Sequence, residues 1–413
     1  MSTGTTVSEQ TATFDRIRAL ESQYLLQNYA RYPLLLQRGR GCYVWDESGK
    51  RYLDLLTGIG VSALGHAHPR LTKVIREQAG LLLHTSNLYY HEYQGPLAER
   101  LAKVSGLART FFCNSGAESM EGAMKMIRSH GRKINHDKYE IVALHNSFHG
   151  RTFGALSITG QEKYRRDFEP MLPGARFVPH NDIVALEQTV CERTAGIVIE
   201  WIQGEGGINP VSIEFARKAR ELADKYDALL VFDEIQCGVG RTGKHFAYQL
   251  ADPAVQPDIM VAAKPLACGI PLGVIVVNEK AAQSIGAGMH GSTFGGGPLA
   301  CRVAIEFLNI LDGLLPHIQT MGEYFRAKLE DLQNHHKFIK EVRTRGLMIG
   351  IELDRPGKQI VLDAMREGLL MNCTHDTVLR MLPPYIITEK EIDRGVRILN
   401  KVFKAAAKHS SAT

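Results

Sequence analysis

Residues 228–236 read Ala-Leu-Leu-Val-Phe-Asp-Glu-Ile-Gln: five apolar residues that end abruptly in two carboxylates. A short run that is apolar on both faces predicts a strand buried between two layers, the setting of a parallel sheet. Working outward, five more runs have the same character: Arg109 to Cys113, Ile141 to Leu144, Gly196 to Glu200, Asp258 to Ala263 and Gly273 to Val277. Helical patterns lie between them. Met120, Ala123, Met124 and Ile127 hold the i, i+3, i+4, i+7 spacing of one helix face. Strands alternating with helices predict an α/β fold with a mainly parallel sheet, whose chemistry gathers at the C-terminal strand ends.

Four polar clusters fall just after these runs. Asn114-Ser115-Gly116-Ala117-Glu118 turns from a strand into a helix, where first-turn N–H groups and the helix dipole favour an anion. His145 to Thr152 offers a ring at Phe148 and a guanidinium at Arg151. Asp233-Glu234-Ile235-Gln236 puts a carboxylate at the end of a buried strand, well placed to hold a cation. Lys264 ends the run Asp258 to Ala263, where partial desolvation lowers an amine's pKa and frees it for Schiff-base chemistry. Taken singly, these are a helix cap, a core ring, an ion pair and a surface lysine. Together they are a phosphate cradle, a stacking ring, a partner for a protonated ring nitrogen and an amine, the protein-side parts that pyridoxal phosphate requires.

Bulk properties narrow the alternatives. The chain has 413 residues, enough for two or three domains, and 44% of them are hydrophobic. A net charge of +5 without a run of like charges gives no support to a nucleic-acid partner. No apolar stretch approaches the roughly 20 residues of a membrane helix. Seven scattered cysteines without a CxxC pair argue against a disulfide framework or a metal cluster and suit the cytoplasm. The polar segment Met1 to Thr13 reads as a loose tail. Residues 1–75, with a hairpin at Tyr43–Trp45 and Tyr52–Leu55, are expected to pack with a smaller C-terminal α+β domain at 301–413. That leaves 76–300 as the large domain. The tail is expected to open with a helix at Leu299 to Leu311 and a strand at Leu347 to Leu353.

One rival is a nucleotide-binding P-loop. Gly238 to Lys244 has the spacing G-x-x-x-x-G-K, but His245 stands where Ser or Thr should bind magnesium, and the acidic strand precedes the loop. A metalloprotease motif at His91-Glu92 fails because Gly95 occupies the second histidine's place.

Longer motifs carry a family resemblance. Gly65-His66-Ala67-His68-Pro69, Phe112 to Glu118, Phe148-His149-Gly150-Arg151-Thr152, Gln203 to Gly207, Asp233 to Gln236, Gly240 to Gly243, Gly291 to Gly296 and Leu379 to Pro384 occur in this order. Over nearly its whole length the chain resembles the class III, or ω-amino-acid, aminotransferases of fold type I. Ser86 to Tyr90 and Asp233 to Gly238 place it nearest the acetylornithine branch. The resemblance implies a seven-stranded sheet, pyridoxal 5'-phosphate as cofactor and no metal. It implies Lys264 as Schiff-base lysine and proton shuttle, Asp233 at the ring nitrogen, Gln236 at the phenolic oxygen and Phe148 against the ring. Ser115, Gly116 and Ala117 would hold the phosphate, joined by Thr293 and Ser292 from the other subunit of a homodimer. Arg151, helped by Tyr29, would bind a substrate carboxylate. Arg380 would take the α-carboxylate of glutamate, and Glu205 would cover Arg380 when the other donor is bound. The implied reaction moves the terminal amino group of N2-acetylornithine to 2-oxoglutarate, a step of arginine biosynthesis. Ornithine, succinylornithine, lysine and 4-aminobutyrate are the alternative donors. Trp201, Pro265 and Gly297 depart from the usual family residues.

Overall fold

A computed structural model describes residues 7–410. Its centre is a seven-stranded sheet built, in chain order, from β1 (Arg109–Cys113), β2 (Glu140–Leu144), β3 (Ala175–Val178), β4 (Thr194–Glu200), β5 (Leu229–Asp233), β6 (Ile259–Ala262) and β7 (Gly273–Val277). The spatial order is β1-β7-β6-β5-β4-β2-β3. Four of its pairings are parallel. Only β7 runs against both of its neighbours. All six expected runs form strands, within two residues of the expected ends. The seventh, β3, gave no signal because its Ala-Arg-Phe-Val sequence is an edge strand buried only at Val178.

β5 is buried at every position and lies fourth of the seven strands. Asp233 at its end pairs in register with Glu200 at the end of β4 and with Val261 near the end of β6. Three strand ends therefore meet at one edge, and the first residues beyond β6 include Lys264. Helix α1 (Gly116–Ile134) begins at the same edge, just after β1. It buries Met120, Ala123, Met124 and Ile127 on the face that their spacing predicted.

Two four-stranded sheets flank this one, besides a two-stranded ribbon of Ile202–Gln203 and Asn209–Pro210. The expected hairpin forms from Tyr43–Asp46 and Arg51–Asp54, and its second strand pairs in parallel with Leu369–Leu370 from the C-terminal part. A four-stranded sheet contains Ile339–Arg345, Met348–Leu353, Val378–Met381 and Asn372–Thr374, in that spatial order. Helix α2 runs from Pro298 to His335, 38 residues, and contains Pro316. The expected helix at Leu299–Leu311 is thus its first third. One apolar cluster extends from Cys42 through the sheet to Phe403, so the flanking parts share a core with the centre.

The loose tail needs correction. From Val7 onward the chain is helical, to Tyr24. The segment is polar and has no apolar stripe, so periodicity gave no sign of it, although Glu, Gln and Ala are good helix formers. The rest of that expectation lies outside the described residues.

Candidate active site

The cradle is built by the start of α1. Ser115, with extended backbone, caps the helix by accepting the Glu118 N–H at 3.2 Å. The N–H groups of Gly116 and Ala117 open the first turn, where no preceding carbonyl can reach them. Glu118 holds the turn from behind, accepting the backbone N–H of Asn114 at 2.6 Å and its side-chain amide at 2.9 Å. Gly116 is needed for closeness: a Cβ there would lie 2.7 Å from the side chain of Ile235. Gly150, at φ +140, packs in the same way, its Cβ position 3.0 Å from that of Ala117. These two contacts bring the segments 148–152 and 233–236 against the cradle.

Asp233 is 3% exposed. One of its oxygens accepts the Ile235 N–H at 3.0 Å, and the other meets His149 Nδ1 at 2.8 Å. His149 is fully enclosed. Burial pulls its pKa down, but the hydrogen bond and charge of Asp233, with Glu200 behind, raise it overall. Glu200 accepts the N–H of Phe148 at 2.9 Å and of Gly204 at 3.3 Å, and burial pushes it up to about 7. The sequence reading had included His149 in a motif and Glu200 at a strand end without giving either a role. What it lacked was depth: that both side chains turn inward behind Asp233 is visible only in the fold.

Lys264 sits in this field. Burial lowers its pKa; Asp233, Glu205 and Glu200 oppose the shift, Arg380 adds to it, and the net is downward. An amine held below the usual lysine range is more often unprotonated and so nucleophilic.

Arg380, in the strand Val378–Met381, is 1% exposed. It donates to Glu205 Oε1 at 2.5 Å, Gln236 Oε1 at 3.1 Å and Asn372 Oδ1 at 3.1 Å. Thr374 fixes the Glu205 backbone by donating to its carbonyl at 2.6 Å. Burial would raise the Glu205 pKa, but the charge and hydrogen bond of Arg380 lower it overall, helped by Lys264 and Gln236. Asn372 and Thr374, on a three-residue strand, had no sequence signal.

Arg151 is exposed and lies over the rings of Tyr164, at 3.9 Å, and Phe148, at 5.3 Å. Ser292 is engaged within its own chain, where its hydroxyl accepts from Asn114 Nδ2 at 3.1 Å and the Gly295 N–H at 3.0 Å. Thr293 beside it is exposed. Tyr29 is 71% exposed and takes no part in the buried network. Of the departures, Trp201 packs edge-on against Phe232 at 5.3 Å in the core, Pro265 is buried, and Gly297 caps α2.

The P-loop is excluded by hydrogen bonding. The N–H groups of Gly240, Arg241 and Gly243 bond to carbonyls within the loop and so cannot cradle phosphate. Arg241 is fully buried and donates to the carbonyls of Leu347 and Pro383, tying this loop to the strand that carries Arg380.

A helix start, a buried carboxylate, a part-buried lysine of lowered pKa and a carboxylate-covered arginine around one strand edge fit pyridoxal phosphate and an amino acid. Comparison with known proteins agrees. Residues 24–403 match the family Aminotransferase class-III. The acetylornithine aminotransferase of Aquifex aeolicus is 47% identical over 381 residues, 92% of this chain and 100% of that protein. That of Methanocaldococcus jannaschii is 46% identical over 93% of this chain and 97% of its own. Among solved structures, the ornithine aminotransferase of Toxoplasma gondii matches with a TM-score of 0.91 and 32% identity, covering 98% of this chain and all of that one. The N-acetylornithine aminotransferase of Stenotrophomonas maltophilia matches at 0.82 and 35%, covering 95% and 99%. The chain belongs to the class III aminotransferases, pyridoxal-phosphate-dependent enzymes of fold type I.

Proposed function

We propose that this aminotransferase takes the terminal amino group of N2-acetylornithine and passes it to 2-oxoglutarate, giving N-acetylglutamate 5-semialdehyde and glutamate. Several acetylornithine aminotransferases at 43–47% identity support this donor. The T. gondii neighbour, at 32% identity, makes ornithine the second reading.

When bound, pyridoxal phosphate supplies an aldehyde that condenses with amines and a protonated ring that accepts an electron pair. Each of the chain's residues then has a task. Ser115, Gly116 and Ala117 hold the phosphate at the start of α1. Asp233 keeps the ring nitrogen protonated, and His149 behind it keeps Asp233 in place. Phe148 packs on the ring, and Gln236 meets its phenolic oxygen. Lys264 carries the cofactor and moves the proton at the substrate carbon.

The observation that carries the substrate reading is Glu205 on Arg380. The terminal amine of acetylornithine has no carboxylate beside it, and glutamate's amine does. With Glu205 in place, Arg380 is neutralised and the terminal amine is accepted. When glutamate or 2-oxoglutarate enters, its α-carboxylate replaces that of Glu205. Arg151 takes the carboxylate at the far end of either substrate, with Tyr29 as its helper.

The working unit is a homodimer, with Thr293, next to Ser292, reaching the partner's phosphate site. Leu88, Tyr89, Tyr90 and Phe294, 84%, 70%, 104% and 68% exposed, make an apolar surface that a second copy would cover. The division at residues 75 and 300 separates the part that carries Lys264 from the part that carries Arg380. Seven unpaired cysteines suit the cytoplasm.

Steady-state rates with acetylornithine, succinylornithine, ornithine, lysine and 4-aminobutyrate test the donor. Acetylornithine is expected to give the highest kcat/KM; a higher value with ornithine moves the enzyme to the second reading.

A further inference from the structure

Arg151 carries a full charge, yet no carboxylate meets it, and none of its N–H groups donates to a protein acceptor among the described residues. Its position comes from aromatic faces instead. The nearer face is Tyr164, which closes the short turn Glu162–Tyr164. That turn is fixed to the loop of the stacking ring: Gln161, 6% exposed, donates to the carbonyls of Asn146 and Ser147, each at 3.3 Å. The Tyr164 N–H then donates to the Gln161 carbonyl at 3.1 Å. The ring meets Phe148 edge-on, at 6.0 Å and 85°. Tyr164, Phe148 and Arg151 thus form one assembly anchored through Gln161.

We infer that Tyr164 is a positioning residue for substrate selection: its ring holds the Arg151 guanidinium so that its N–H edge is ready for the carboxylate of the donor. This rests on the reading of Arg151 given above and deepens it. Cation and ring attract face to face, which uses the flat of the guanidinium. The N–H groups lie in the guanidinium plane and stay free to grip a carboxylate in two places. A carboxylate partner would also orient the arginine, but it would occupy that edge and cancel the charge. A neutral ring orients it and does neither. Lys163 lies 5.0 Å from the same ring, so two cations share one neutral support.

The test compares two donors on the same enzyme: N2-acetylornithine and N-acetylputrescine, which is the same molecule without its carboxylate. The quantity read is the ratio of their kcat/KM values. Tyr164→Ala and Tyr164→Leu remove the aromatic face, the second keeping apolar bulk where the first disturbs folding. Each is expected to lower the ratio by about tenfold, through KM for acetylornithine, in keeping with a cation–π contact. Tyr164→Phe keeps the face and is expected to restore the ratio. Arg151→Ala is the reference and should lower it further. An unchanged ratio in Tyr164→Leu, with a fall in Arg151→Ala, overturns the inference and leaves the role of Arg151 standing. An unchanged ratio in Arg151→Ala overturns that role itself. An equal loss with both donors in Tyr164→Leu shows the ring to be a general structural support, which also overturns the inference.

Discussion

Arg380 and Arg151, to which the proposed function gives the same chemical purpose, are held in opposite ways. Arg380 is 1% exposed and surrounded by acceptors from Glu205, Gln236 and Asn372. Arg151 is exposed and rests on two aromatic rings. Burying a guanidinium is costly unless acceptors surround it, and for Arg380 these include the Glu205 carboxylate. In the proposed function that carboxylate blocks the site until a substrate carboxylate displaces it, which would make Arg380 conditional. Arg151, exposed to solvent, needs no counter-ion and in the same proposal would be open to every substrate.

Variants that strike the shared chemistry set the baseline for this contrast and have the largest expected effects. Lys264→Ala should slow both half-reactions roughly a thousandfold, as loss of a positioned proton carrier does, while still binding the cofactor. Cofactor absorbance after dialysis checks the binding, and stopped-flow mixing checks the rates. Asp233→Asn keeps the size and removes the charge behind the ring nitrogen. It should lower kcat roughly a hundredfold with either substrate, since the interaction strengthens as the ring takes up charge. Near-normal turnover would reduce Asp233 to a structural partner of His149.

Arg151→Ala should raise KM for both acetylornithine and 2-oxoglutarate, about tenfold or more, because each has a carboxylate at that end. A rise for only one of them would mean that the far-end carboxylates part company.

The smallest effect separates the two arginines by pH. The folded pKa of Glu205 lies below its ordinary value because Arg380 outweighs burial. Its stabilisation is therefore present above the ordinary glutamate value, near 4.5, and is lost as pH falls through the lower folded value. Glu205→Gln should lose about 2 °C in Tm at pH 7, and the difference should vanish in acid. Tyr164→Leu, which touches no titrating pair, should show a pH-independent difference. Parallel melting curves for wild type and both variants decide it.

Much of this was legible in the sequence because it depends on composition along short stretches. Six strands of the sheet carry short, largely apolar runs, and polar clusters at their ends marked Ser115, Asp233 and Lys264. The seventh strand was not legible, since an edge strand with one buried residue has no apolar run. The reversed direction of β7 was hidden as well, because its five buried residues look the same read either way along the sheet. His149, Glu200 and Thr374 needed the fold, since each acts through a partner at least 50 residues away in sequence, and Asn372 needed the strand pairing that sets it opposite Arg380. Tyr164 belongs with them, since nothing in Glu-Lys-Tyr predicts that its ring lies under Arg151.

The difference between a conditional and an open arginine is tested most directly by Glu205→Ala, with the two half-reactions followed separately by stopped-flow absorbance of the cofactor. Removing the carboxylate leaves Arg380 without its counter-charge. The half-reaction with glutamate should then be kept or accelerated, while that with acetylornithine should slow by about tenfold or more, the scale of one lost charge-assisted hydrogen bond. An equal loss in both half-reactions would contradict the account and make Glu205 a scaffold for its loop.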